Sequence, residues 1–295
     1  MASRVEEFVV SAYRGYKSEA RIVRHPDPRA RPAVLVGGAF QAKASWGRLE
    51  SVLNETFHTV TVDLPGWGDA DPLPASYGID FLAESLHDLL GATGFERFHL
   101  FGGSYGSAVA YRYAQVHPRH VLRVVLASAA CRIPEQARRD MRHTIDLIDA
   151  GHIEEFADFG IDVLLNPAPD VRVARQAAVR RILHTLMRDL SPGARDKYRS
   201  NTQRLLEQPP MPTHPQVAAP VLVITGEHDH FTPADHGRRL AALCPDARHV
   251  LLRDADHTVH LEVPDQLGDL VTRFCTDQDL DNLPYLVPDL AEPAR

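Results

Sequence analysis

The feature that most restricts this chain is an alternation met twice: short, β-branched apolar runs followed by helical patterns, over residues 33–129 and again over 221–275. "AVLVGG" (33–38), "HTVTVDL" (58–64), "RFHLFGGS" (97–104) and "VLRVVLASA" (121–129) have the composition of strands buried on both faces. "FLAESLHDLLGATG" (81–94) and "AVAYRYAQVHP" (108–118) read as helices, the first closed by glycine and the second stopped by Pro118. Strands alternating with helices imply right-handed crossovers and a mainly parallel sheet. "EFVVSAY" and "RIVRHP" add two early strands as a hairpin, and "VLVITGEHD" (221–229) and "ARHVLLRDA" (247–255) two late ones, each followed by a helix. The expected fold is α/β, with about eight strands flanked by helices.

From Pro134 to Gln208 the alternation is replaced by helical patterns, which end in the proline-rich "PPMPTHPQVAAP" (209–220). A helical block set between strands of one sheet is most simply a cap over the strand ends. The chain therefore divides into a core (1–130), a helical cap (131–219), the rest of the core (220–275) and an irregular tail (276–295), which "NLPYLVP" pins to the surface.

In open α/β sheets ligands bind at the carboxyl ends of the strands, and one such end carries "GGSYG". Gly102-x-Ser104-x-Gly106 between a strand and a helix is the pattern of a nucleophile elbow, where small neighbours let the chain reverse around an exposed serine. The Tyr105 amide then opens the helix and faces a developing oxyanion. The loop after "AVLVGG" supplies a second donor, the Ala39 amide, and with Gly38 and Phe40 borders the substrate. A serine nucleophile needs a base, and the base a carboxylate. The "ASAACR" strand end offers no acid. "GEHDHFTP" offers Asp229, with Glu227 and Asp235 in reserve, and "DADHTVHLE" offers His257 on the turn, with His260 opening the next helix.

Other chemistries are less well served. His228, Asp229, His230, Asp256, His257 and His260 lie near two adjacent strand ends, yet "HDH" and "DHTVH" lack the spacing of a zinc site, so no metal and no cofactor is expected. Cys131, Cys244 and Cys275 form no disulfide framework or CxxC motif. A net charge of −7 opposes bulk attraction to nucleic acid. No secretory pattern opens the chain and no apolar run approaches the ~20 residues of a membrane span, which reads as a cytoplasmic protein. Residues 171–204 nonetheless hold nine basic and two acidic residues, Arg180 and Arg181 among the former. They are either a solvated face or a surface for an anionic substrate or an acidic acyl carrier protein.

Together, "GGSYG", "VLVGGAFQAKASWGRL", "VDLPGWGDAD", "ITGEHDHFTP" and "DADHTVHLE" resemble the α/β-hydrolase superfamily over about residues 21–130 and 220–275. The resemblance implies Ser104 as nucleophile, Asp229 as acid and His257 as base. Serine at 104 separates the chain from the haloalkane dehalogenase and epoxide hydrolase branches, which use a carboxylate there. Gly37-Gly38 stands where many members carry His-Gly, and a weaker likeness is to the synthases that join two 3-hydroxyacyl chains for rhamnolipids. The expected activity is hydrolysis of a small-molecule ester or thioester through an acyl-enzyme, with Phe156 and Phe159 of the cap among the residues lining an acyl pocket. Acyl transfer, lyase or cyclase chemistry in the same pocket, and a non-catalytic binding module, are the alternatives.

Overall fold

The computed structural model describes residues 6–288; the ends of the N-terminal and tail segments read above, 1–5 and 289–295, lie outside the described residues. Its eight strands are β1 (Glu6–Tyr13), β2 (Tyr16–Val23), β3 (Pro32–Val36), β4 (His58–Asp63), β5 (Phe98–Gly103), β6 (Val121–Ala127), β7 (Val221–Gly226) and β8 (Ala247–Leu252). They form one sheet in the order β1-β2-β4-β3-β5-β6-β7-β8. The first three are joined by antiparallel pairing and the rest run parallel. The second strand starts at Tyr16, earlier than its apolar run, because Arg14 and Gly15 both take positive φ (49° and 86°) and close a two-residue hairpin that pairs Tyr13 with Tyr16.

Successive strand residues point to opposite faces, and the core divides accordingly. Val34, Val36, Leu100, Val124 and Leu126 face α2 (Ile79–Gly91) and α3 (Tyr105–Val116). Leu35, Phe101, Val125 and Ile224 face α1 (Gly47–Leu53) and α10 (Pro264–Cys275). The first of these helices, α1, spans only seven residues, too few for a periodic pattern to declare it. After β7 comes α8 (Ala234–Ala241). The "HLEVPDQL" segment is not one helix: α9 (Val259–Glu262) ends at Val263, whose backbone leaves the helical region, and Pro264 starts α10. Beyond it, Leu286 pairs with Leu252 and the Tyr285 carbonyl accepts from the Arg253 amide, which fastens "NLPYLVP" to the edge of β8.

Four helices lie between β6 and β7: α4 (Glu135–Asp149), α5 (Ile153–Leu164), α6 (Gln176–Arg188) and α7 (Pro192–Glu207). They share a small apolar core of Leu147, Phe156, Ile161, Leu183, Met187 and Tyr198. The last of them, α7, docks on the 64–71 turn, with Lys197 Nζ on the carbonyls of Gly68 and Ala70 and Asn201 Nδ2 on that of Gly66. Arg204 is 1% exposed, and its guanidinium donates to the carbonyls of Leu73, Pro74 and Tyr77, to Asn201 Oδ1 and to the Tyr105 hydroxyl. The basic excess at 171–204 is thus largely engaged locally: Arg204 and Lys197 hold the helix down, while Arg180, Arg188 and Arg199 pair with Asp162, Asp189 and Asp149. Among the described residues no helix is long and apolar enough to cross a membrane.

Candidate active site

Ser104 joins β5 to α3 with φ 49° and ψ −115°, a strained conformation for a residue with a side chain. The surroundings hold it there. Its amide donates to the Ala127 carbonyl at 2.8 Å, and Ser107 Oγ donates to the Gly102 and Ala127 carbonyls at 3.0 and 3.1 Å. Gly102 and Gly106 face one another across the turn; a Cβ on the first would lie 2.5 Å from the carbonyl oxygen of the second.

The sequence-predicted acid and base converge on this turn. His257 Nε2 lies 2.9 Å from Ser104 Oγ, and His257 Nδ1 lies 3.0 Å from Asp229 Oδ2. Carboxylate oxygens only accept here, so Nδ1 carries the proton and Nε2 is free to accept from the serine hydroxyl. Both side chains are buried. Of the reserves, Glu227 is exposed, Asp235 pairs with Arg239 on the surface, and neither touches His257. His260 lines the cavity, its ring tilted on Trp46, and burial pushes its pKa down to about 4. It makes no hydrogen bond to Ser104.

Several supporting residues escaped the sequence reading. Thr232 donates from its amide to Asp229 Oδ1 (2.7 Å) and from its hydroxyl to Oδ2 (2.8 Å), a local turn that fixes the carboxylate; the D-x-x-T spacing was the available signal. Ser128 Oγ donates to the His257 carbonyl, and the Phe231 ring stands edge-on to the imidazole. Behind the histidine, Asp256 accepts from the His257 amide, while Glu262 accepts from the Asp256 amide and the Thr258 hydroxyl. Burial raises Glu262 to about 7. Burial of the imidazole works against its charged form, but Asp229, by charge and hydrogen bond, and then Asp256 and Glu262 outweigh it and hold His257 above its ordinary value.

The loop after β3 is pinned from several sides. Trp67 Nε1 and the Gln41 amide both donate to the Gly38 carbonyl, and Gln41 Oε1 accepts from the Gly38 amide. In the planar Gly38–Ala39 peptide the Ala39 N–H points away from those partners. Lys43 ties the same loop to Asp63, Asp69 and Glu19. The Tyr105 amide, first in α3, has no acceptor within its own helix.

Ser104 opens onto a cavity of about 250 Å³ under the inserted helices. Among the described residues its wall contains no Asp, Glu, Lys or Arg; α5 and α6 contribute Val163, Leu164, Ile182, Leu183, Leu186 and Met187. Gly38 and Phe40 line this cavity; Phe156 and Phe159 do not. Phe40 stacks on Tyr198 at 4.6 Å, and Phe156, fully buried, packs behind both rings. Phe159 sits edge-on to His143. Of the possible metal ligands, only Glu227, His228 and Asp254 gather within 4.8 Å among the described residues, outside the cavity wall.

With this sheet, elbow and loop, the chain belongs to the alpha/beta hydrolase family, whose model matches residues 33–270; it is an α/β-hydrolase-fold enzyme. It is similar to 2-hydroxy-6-oxononadienedioate/2-hydroxy-6-oxononatrienedioate hydrolase 1 of Dechloromonas aromatica, 26% identical over 82% of this chain and 86% of that protein. In fold it is similar to the enol-lactonase of Burkholderia xenovorans LB400, with a TM-score of 0.77 and 22% identity over 90% of this chain and 99% of the other. A hydrolase from a Medee basin deep-sea metagenome library gives the same TM-score at 19% identity, over 92% and 98%.

Proposed function

We propose that this enzyme is a serine hydrolase of esters or thioesters with an uncharged, apolar acyl group. The observation that carries the reading is the continuous path from Ser104 through His257 to Asp229, at 2.9 and 3.0 Å. Ser104 Oγ attacks the acyl carbonyl as its proton passes to His257 Nε2, and Asp229 stabilises the imidazolium. The Tyr105 and Ala39 amides receive the oxyanion, helped by the N-terminus of α3. His257 returns the proton to the leaving oxygen or sulfur, and water, deprotonated by the same base, releases the acid.

The apolar wall directs the substrate reading away from the relative in Dechloromonas. A dioate carries two carboxylates, and burying either in a cavity without a cation would cost several kcal/mol. An aliphatic acyl chain meets no such penalty. In this reading the inserted helices are a cap that selects the acyl group, and an acyl carrier partner finds little support at 171–204, where most cations are already engaged.

The test is intact-mass detection of a fluorophosphonate adduct. One adduct is expected on the wild type and none on Ser104→Ala or His257→Ala. A folded wild type that takes no label, or a Ser104→Ala that still does, overturns the mechanism.

The pH dependence follows from His257. It must be neutral to accept the serine proton, so kcat/KM is full above its raised pKa and falls as pH drops through it; the acid limb lies above 6.5. Asp229→Asn removes the carboxylate that does most to hold it up. The limb is then expected at lower pH, and a kcat/KM profile in which it stays or rises contradicts this account.

A further inference from the structure

Ser104 also borders a second cavity, of about 610 Å³, between α4 and the 205–211 segment, and Ser104, Tyr105, Ser128, Met141, Leu205 and Phe231 line both. We propose that this second cavity receives the leaving group and selects one that carries a phosphate. The inference rests on the hydrolase reading above and extends it to the other half of the substrate.

The argument begins with the division of space at the serine. A tetrahedral carbon on Ser104 must direct its acyl chain and its leaving group apart. The first cavity presents only apolar and neutral polar groups, whereas the second is lined by Arg132, Arg138 and Arg142 together with Glu135 and Glu207. Arg138 and Arg142 stand one helical turn apart on α4, on the face that brings Met141 to both cavities.

These charges are not equally committed. Arg138 donates to the Leu206 carbonyl at 2.7 Å and lies 3.9 Å from Glu135, which is shared with Arg139 at 3.8 Å. Glu207 accepts from Gln203. Arg132 and Arg142 have no acceptor among the described residues, and both are exposed. Two uncommitted guanidinium forks on the wall of a cavity that Ser104 also borders match the several oxygens of a phosphate better than any neutral group. In the reaction the phosphate is a handle only: the Ser104–acyl bond forms, the acyl–sulfur or acyl–oxygen bond breaks, and the leaving atom takes the His257 proton.

The experiment compares two ligands that differ by one phosphate, S-octanoyl-4′-phosphopantetheine and S-octanoylpantetheine, binding by calorimetry to the Ser104→Ala protein, where turnover does not interfere. The phosphorylated ligand is expected to bind at least ~10-fold more tightly, with the preference shrinking in high salt. In Ser104→Ala/Arg132→Glu/Arg142→Glu the ratio is expected to fall to about one. The exposure of both arginines leaves the fold out of the comparison. Equal affinities, including no measurable binding of either ligand, or a preference that survives the charge reversals, overturn the inference. A fluorophosphonate adduct on Ser104 without phosphate preference defeats this inference alone; the preference without an adduct defeats the catalytic reading alone.

Discussion

Ser104→Ala is expected to lower kcat on a 4-nitrophenyl alkanoate by about 10⁴-fold or more with the fold unchanged, because in the proposed mechanism the residue supplies the attacking atom and nothing near it can substitute. His257→Ala should lose a similar amount, and the double variant little beyond either, since base and nucleophile act as one unit. Asp229→Asn is a milder change, costing roughly a hundredfold less than the loss of the serine. The reason lies in the geometry: Thr232 Oγ1 sits 3.3 Å from His257 Nδ1 and remains to accept its proton when the carboxylate is neutralised. Single-turnover rates on the four variants, with circular dichroism as the fold control, decide it. A Ser104→Ala protein within tenfold of wild type would rule out the acyl-enzyme.

The parts of the site that were legible in the sequence are those set by local chain geometry. Ser104, Asp229 and His257 each follow a run whose composition marks a strand, and each sits where glycine or polar residues end that run, so chain order alone brought them to the carboxyl ends of parallel strands. Side-chain phase and depth were not legible. Phe156 and Ile182 are both apolar residues of inserted helices, yet one is sealed behind Phe40 and Tyr198 while the other, 44% exposed, lines the cavity. The difference depends on how four helices pack, which no periodicity within one of them encodes.

Charge was misleading for a related reason. Arg204 reads as one more cation in a basic stretch, and in the fold it is among the most deeply buried side chains, bonded to neutral acceptors including Tyr105, the residue after Ser104. Arg132, in the turn before α4, and Arg142, on that helix, lie outside that stretch and gain their significance only from a cavity built by a segment more than sixty residues away. Asp256 and Glu262 are similar: two acids six residues apart become a buried pair behind His257 only because the chain turns back at Thr258.

Gly106→Ala is expected to destabilise the protein by about 3 kcal/mol or more, because the added methyl has no space to enter. Its carbon would stand 2.2 Å from the Val36 carbonyl oxygen, 2.7 Å from the Val36 carbonyl carbon and 2.8 Å from the Gly37 carbonyl oxygen. All three are backbone atoms at the end of β3, so no side chain can rotate away; either α3 lifts or the loop after β3 shifts. Each movement displaces a proposed oxyanion donor, Tyr105 in the first case and Ala39 in the second, so activity should fall even in the fraction that folds. Gly91→Ala, at the exposed end of α2 where nothing lies within 4 Å, is the matched control and should be neutral or slightly stabilising. Chemical denaturation of both proteins separates the causes: a Gly106→Ala midpoint equal to that of Gly91→Ala would mean that α3 does not press on β3 as closely as the elbow requires, and that the glycine after the serine serves the turn alone.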